Sequence, residues 1–145
     1  MKTNMKLLLV LIMGLLPYLK SFGQDTKQIV KVTNLEETKG TLYIGWYSEP
    51  EDFRINDKAL YREKIDVSEQ SEVTVLFENI PAGNYAIAVF LDEDDDYILD
   101  RNLFGIPKEK YGFSNNVLPA LRPATFEESA FRLDNRITTV PIALK

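Results

Sequence analysis

The sequence predicts an all-β fold, an antiparallel sandwich of about seven strands with one long ordered loop. Three observations carry that prediction. From Gln24 onward apolar and polar residues alternate with a period of two, the spacing of a strand with one face buried, and helical stripes of any length are hard to find. Gly, Pro and Asn-Asp turn signals separate the short runs. Setting aside the first 23 residues leaves 122, enough for one domain with a real core.

Those first 23 residues read as an address. Lys2 and Lys6 form a basic start, "LLLVLIMGLL" (residues 7–16) is a ten-residue apolar run, and Ser21, Phe22 and Gly23 place small residues at the two recognition positions. The expectation is a secretory signal over residues 1–23, cleaved before Gln24, and a single β-sandwich domain over residues 24–145. The apolar run is too short for a membrane span, which needs about 20 residues, and no second one follows. A soluble, exported protein is therefore expected, periplasmic or extracellular, with no transmembrane segment after cleavage. No cysteine is present, which excludes a lipid anchor on an N-terminal Cys, disulfides and thiolate metal sites.

Without the signal, 14 basic residues stand against 22 acidic ones, a net charge of −8. Nucleic acid is not an expected partner, because binding its phosphates needs clustered Lys and Arg.

The strands follow in order. "IVKVTNL" (residues 29–35) opens with a mixed strand, and Lys39-Gly40 turns into "TLYIGWYS", where Leu42, Ile44 and Trp46 share one face and Tyr43 and Tyr47 the other. A core role is expected for Trp46. Residues 49–59, with Pro50 and Asn56-Asp57, form a connecting loop with one helical turn around Phe53. "LYREKIDV" (residues 60–67) is charged enough to be an edge strand. "EVTVLFEN" and "NYAIAVFLD" alternate cleanly on either side of Pro81 and Gly83, and a hairpin is expected there. Residues 92–128 then break the pattern. Their aromatics, Phe104, Tyr111, Phe113 and Phe126, predict an ordered, packed loop, with Tyr111 and Phe113 as its anchors on the core. "SAFRL", an Asp134-Asn135 turn and "ITTVPIAL" predict a closing hairpin. The whole has the size of an immunoglobulin-like or transthyretin-like sandwich.

"DEDDDYILD" (residues 92–100) holds six carboxylates in nine positions. Calcium loops take side-chain oxygens at positions 1, 3 and 5, a backbone carbonyl at 7 and often a ligand at 9. Those positions are Asp92, Asp94, Asp96, the carbonyl of Ile98, and Asp100. Two carboxylates about 6 Å apart repel by about 0.7 kcal/mol even in bulk water, so a converging set calls for a cation. Calcium is the expected ion. Position 6, usually Gly, is Tyr97, and position 12, usually a bidentate Glu, is Leu103, so the pattern is not that of a helix-loop-helix site. Completing ligands must come from elsewhere, and Asn102, Glu109, Asn115 and Asn116 are the nearest candidates. The competing reading is a self-repelling, solvated turn.

Residues 80–131 carry a more specific signal. "IPAGNYAIAVFLDEDDDYILDRNLFGIPKEKYGFSNN" followed by "PATFEESAF" resembles a family of small exported bacterial proteins, domain of unknown function family 2141, typical of Bacteroidetes-type Gram-negative organisms. Asp92, Glu93, Asp100, Gly105-Ile106-Pro107, Glu109 and residues 111–116 match its pattern directly. Asp94 and Asp96 stand where the family has Asn, Ser129 replaces Ala, and Tyr97 replaces Gly in the tight turn. The resemblance implies a secreted β-sandwich and no established activity. The Pro-x-Gly-x-Tyr turn is similar to those of transthyretin-like adhesin and carboxypeptidase-accessory domains, which bears on fold alone.

No catalytic constellation is assembled in the sequence. Without histidine there is no imidazole triad or histidine metal site. A carboxylate-dependent glycan hydrolase using Asp92 and Glu109 is the enzymatic alternative, and nothing in the spacing recommends Ser114 with Lys108 or Lys110. The leading expectation is a non-catalytic, calcium-stabilised module of the bacterial envelope that binds a glycan or an envelope protein. A purely structural partner domain without metal, accepting a neighbour's strand along residues 60–67, is the third reading.

Overall fold

The computed structural model describes residues 27–35 and 39–145, so the predicted signal over residues 1–23 lies outside the described residues. Eight strands form: β1 (Lys27–Thr33), β2 (Thr41–Tyr47), β3 (Tyr61–Asp66), β4 (Glu72–Glu78), β5 (Gly83–Asp92), β6 (Tyr111–Phe113), β7 (Phe131–Leu133) and β8 (Thr138–Ala143). One short helix, α1 (Phe126–Ser129), precedes β7. No helix among the described residues is long and apolar enough to cross a membrane.

The strands build a sandwich of two sheets. One runs in the order β4-β1-β8, the other β3-β2-β5-β6 with β7 also joined to β5. All pairings are antiparallel except that of β1 with β8, which is parallel. As the alternation predicts, Leu42, Ile44 and Trp46 of β2 are buried between the sheets with Ile87, Val89 and Leu91 of β5. Val30 and Val32 of β1 and Val73 and Phe77 of β4 belong to the same core. Each such side chain, fully buried, contributes about 1.5–3 kcal/mol. Trp46 is entirely enclosed, with Phe77, Tyr85 and Phe131 at ring-centroid distances of 5.4, 5.8 and 5.6 Å, which makes it a core residue. The charged strand predicted at the edge is β3, and it does end the larger sheet.

Both predicted hairpins are corrected. β4 pairs with β1 while β5 pairs with β2, so the chain crosses from one sheet to the other between them. The turn residues specify a reversal but not which sheet receives the next strand. Ile80, fully buried in the middle of the connection, anchors the crossing in the core. The Tyr85 hydroxyl locks it by donating to the Pro81 carbonyl at 3.1 Å, four residues upstream. The closing pair separates likewise: β7 joins β5, and β8 returns beside β1.

A second apolar cluster lies on the outer face of the larger sheet. Tyr47, Phe53, Ala86, Phe113 and Ala124 are buried there, with Tyr111 and Phe126 packed against them. Phe53 is its hub, meeting Tyr47, Phe113 and Phe126 at 5.5, 5.8 and 5.9 Å. The ordered loop predicted from its aromatics is thus present, with one correction: Phe104 is 87% exposed and anchors nothing. The helical turn expected around Phe53 is present, with the N–H groups of Asp52 and Phe53 bonded to the Glu49 and Pro50 carbonyls at 3.2 and 3.3 Å, and a 3-10 turn follows at Asn56–Lys58.

Candidate metal centre

Asp92 ends β5, and its side chain is fully buried. Its two oxygens accept the backbone N–H groups of Asp96 at 3.2 Å and Tyr97 at 2.8 Å. A single carboxylate therefore curls the following five residues back over the strand end. The loop continues the winding through Asp96, whose Oδ1 accepts the Ile98 N–H at 2.7 Å. Asp95 turns elsewhere and accepts the Thr41 hydroxyl at 3.0 Å, tying the loop to β2.

Tight winding requires left-handed backbone, and Asp95 and Tyr97 supply it at φ 63° and 67°. Tyr97 thus adopts the conformation for which a calcium loop ordinarily carries Gly at its sixth position. A non-glycine residue there costs about 1–2 kcal/mol. The Tyr97 ring meets Tyr43 edge-on at 4.8 Å, a contact of about 0.5–1.5 kcal/mol that offsets much of this.

The result brings three predicted ligands together. Asp92, Asp94 and Asp96 each offer a carboxylate oxygen, and these oxygens lie within 4.8 Å of one another. Calcium–oxygen distances are about 2.3–2.6 Å, so oxygens on opposite sides of one ion stand about 5 Å apart and the cluster has the right span. The repulsion has a visible consequence. Desolvation within the loop, then the charges of Asp96 and Asp100, raise the pKa of Asp94 above the usual carboxylate value. Asp100 acts on Asp94 without belonging to that group of three, and it reaches toward Lys108 at 3.9 Å.

Glu109 proves to be a clamp. Nearly buried, it accepts the N–H of Glu93 through Oε1 and that of Asp100 through Oε2, both at 2.9 Å, so one carboxylate closes both ends of the loop. The pairing of an isolated Glu with two distant N–H groups leaves no mark in sequence spacing. Ile98 is seen using its N–H, on Asp96.

The amide candidates lie in local backbone networks. The Asn102 oxygen accepts from Phe104 and Ile106 at 2.9 and 3.1 Å, which occupies both its lone pairs in a local turn. The Asn115 amide donates to the carbonyls of Glu128 and Ala130, and the Asn116 oxygen accepts the Ala143 N–H of β8 at 2.7 Å. All three side chains have backbone partners. Ser114 is fully buried, accepting from Ile87 N–H and donating to the Ser129 carbonyl at 2.6 Å, while the Lys110 ammonium donates to the Asn34 carbonyl at 2.6 Å.

A family model described as "Uncharacterized protein conserved in bacteria (DUF2141)" matches residues 30–141. The chain belongs to this family. The matched span contains the whole acidic loop and Glu109, so DUF2141 membership covers the candidate centre together with its clamp. No curated protein and no solved structure matches the chain.

Proposed function

We propose that the chain is an exported, non-catalytic β-sandwich module of the bacterial envelope whose acidic loop binds calcium. The observation that carries this reading is the convergence of Asp92, Asp94 and Asp96 within 4.8 Å on a loop wound by Asp92 itself. The Ile98 carbonyl and Asp100 complete the oxygen set in this reading. A hard divalent cation offsets the mutual repulsion registered at Asp94. Its role is structural: it rigidifies the loop of a module that engages a glycan or an envelope protein.

The test is a calcium titration of the purified protein followed by melting temperature. A ligand at a hundred times its Kd stabilises by about 2.7 kcal/mol, a rise of about 10 °C for a domain of this size. An unchanged melting temperature up to millimolar calcium overturns the reading. A rise that survives in the Asp94→Ala, Asp96→Ala double variant places the ion elsewhere.

A further inference from the structure

The outer face of the larger sheet holds a groove of about 1180 Å³, above the range of about 300–1,000 Å³ usual for small-molecule sites. Strand register explains its floor. Tyr43, Phe90 and Tyr111 stand side by side across β2, β5 and β6, and the next row holds Gly45 and Ala88 with Phe113 at its β6 end. Small residues in that second row lower the floor beside an aromatic ridge. The walls come from residues 97–107, which run on from the acidic loop, and from residues 54–59 and 119–123. Ile98, Phe104, Ile106 and Leu121 line these walls and are all more than half exposed, an apolar surface that the described residues leave open.

The groove's charge runs opposite to that of the protein. Its lining carries five basic residues, Arg54, Arg62, Lys64, Arg101 and Arg122, against Glu63 and Asp100, in a chain of net charge −5. Arg122 is held by Glu128 at 2.7 Å, Arg62 approaches Asp57 at 3.8 Å, and Lys64 sits 5.4 Å over the Tyr43 ring. Arg54 lies 6.0 Å over the Phe53 ring, and neither it nor Arg101 has a carboxylate within 4.0 Å among the described residues. They are also neighbours: burial first, then the charge of Arg101, lowers the pKa of Arg54. One more group waits in the floor. The Tyr47 ring leans over Gly45, where a Cβ would lie 2.8 Å from its hydroxyl. Tyr47 is buried as a residue, and its hydroxyl, which is not one of the buried polar atoms left without a partner, opens to the groove. Burial pushes its pKa up to about 12, so it stays a donor.

We propose that this groove binds a long-chain carboxylate, its acyl body along the aromatic floor and apolar walls and its headgroup between Arg54 and Arg101, with the Tyr47 hydroxyl as a further donor. Two unpaired guanidiniums select an anion, and exposed aliphatic and aromatic walls select an acyl chain over a hydroxyl-rich sugar. The groove shares Ile98 and Asp100 with the oxygen set proposed for the cation, but its headgroup contacts, Arg54, Arg101 and Tyr47, lie outside that set, and the inference does not require the cation.

Calorimetric titration of the purified protein with dodecanoate, dodecanol and acetate tests it. Dodecanoate is expected to bind at least tenfold more tightly than dodecanol, and acetate not measurably. The Arg54→Gln, Arg101→Gln double variant, altered only at exposed side chains and checked for an unchanged melting temperature, should lose that tenfold preference while keeping dodecanol binding. Leu121→Ser should weaken dodecanoate and dodecanol alike. Equal binding of acid and alcohol, an unaffected double variant, or no dodecanoate binding at millimolar concentration overturns the proposal.

Discussion

The carboxylate of Asp92 holds the backbone N–H of Tyr97 at 2.8 Å, so a fully buried side chain at the end of β5 dictates the path of an exposed loop. Replacing Asp92 by Ala strands that N–H and the one on Asp96, and removes a candidate ligand. The expected loss is about 2 kcal/mol of stability, with the calcium response abolished. Asp92→Asn keeps one acceptor oxygen and should lose about half as much. Urea unfolding with and without calcium separates the two effects.

Tyr97 combines a left-handed backbone with a ring packed on Tyr43. Tyr97→Ala removes the ring contact and keeps the strain, whereas Tyr97→Gly removes both. The glycine variant is therefore expected to be the more stable of the two by about 1 kcal/mol, even though it has the more flexible unfolded chain. Chemical denaturation of the pair measures the difference, and the reverse order would show that the strain is not released.

The two-residue period made the inward faces of β2 and β5 legible, because burial on one side leaves its mark at every second residue. The same logic located β3 at an edge by its charges. Sheet assignment was not legible: the Pro81-Gly83 turn looks the same whether the next strand pairs with its predecessor or crosses the core, and only the packing of Ile80 and Tyr85 distinguishes these. In the acidic loop, the ligand spacing of Asp92, Asp94 and Asp96 was readable from one-dimensional order. The clamp by Glu109 was not, since its partners lie 16 and 9 residues away with no periodicity to announce them. Nor was the groove, whose floor depends on which residues of β2, β5 and β6 stand abreast.

Glu109 bonds to the N–H groups of Glu93 and Asp100 and thereby closes the loop at both ends. Glu109→Ala frees those ends at once. Hydrogen exchange at Glu93 and Asp100 should accelerate by about tenfold or more, with the amides of β2 unaffected. Glu109→Gln retains one acceptor oxygen and should accelerate one of the two sites far more than the other.

Stability toward acid has an identifiable contributor at α1. Glu128 receives a two-pronged bond from Arg122 and the N–H of Thr125, and its pKa falls to about 2 from the ordinary 4.5. Because the folded value lies below the unfolded one, the stabilisation is present above pH 4.5 and is lost as pH falls toward 2. Glu128→Gln should therefore flatten the melting-temperature profile within that window and leave its shape above pH 5 unchanged. Thermal melts across the range test this, and a wild-type slope undiminished in the variant excludes Glu128 as its source.

Gly40 sits where the chain entering β2 passes the start of the acidic loop. Its φ of 129° lies in the region that side chains rarely adopt, and a Cβ there would fall 2.2 Å from the Asp92 carbonyl oxygen and 2.9 Å from the Glu93 Cα. Both obstacles are backbone, so neither can rotate away. Its own carbonyl accepts the N–H of Val67, the residue just after β3, at 3.1 Å, which further fixes its position. Gly40→Ala must therefore displace either β2 or the residue that winds the loop. A loss of about 3 kcal/mol is expected, together with weakened calcium stabilisation, although residue 40 offers no ligand. Parallel denaturation with and without calcium measures both, and a variant with wild-type stability would mean that the strand end and the loop are not in the close contact described.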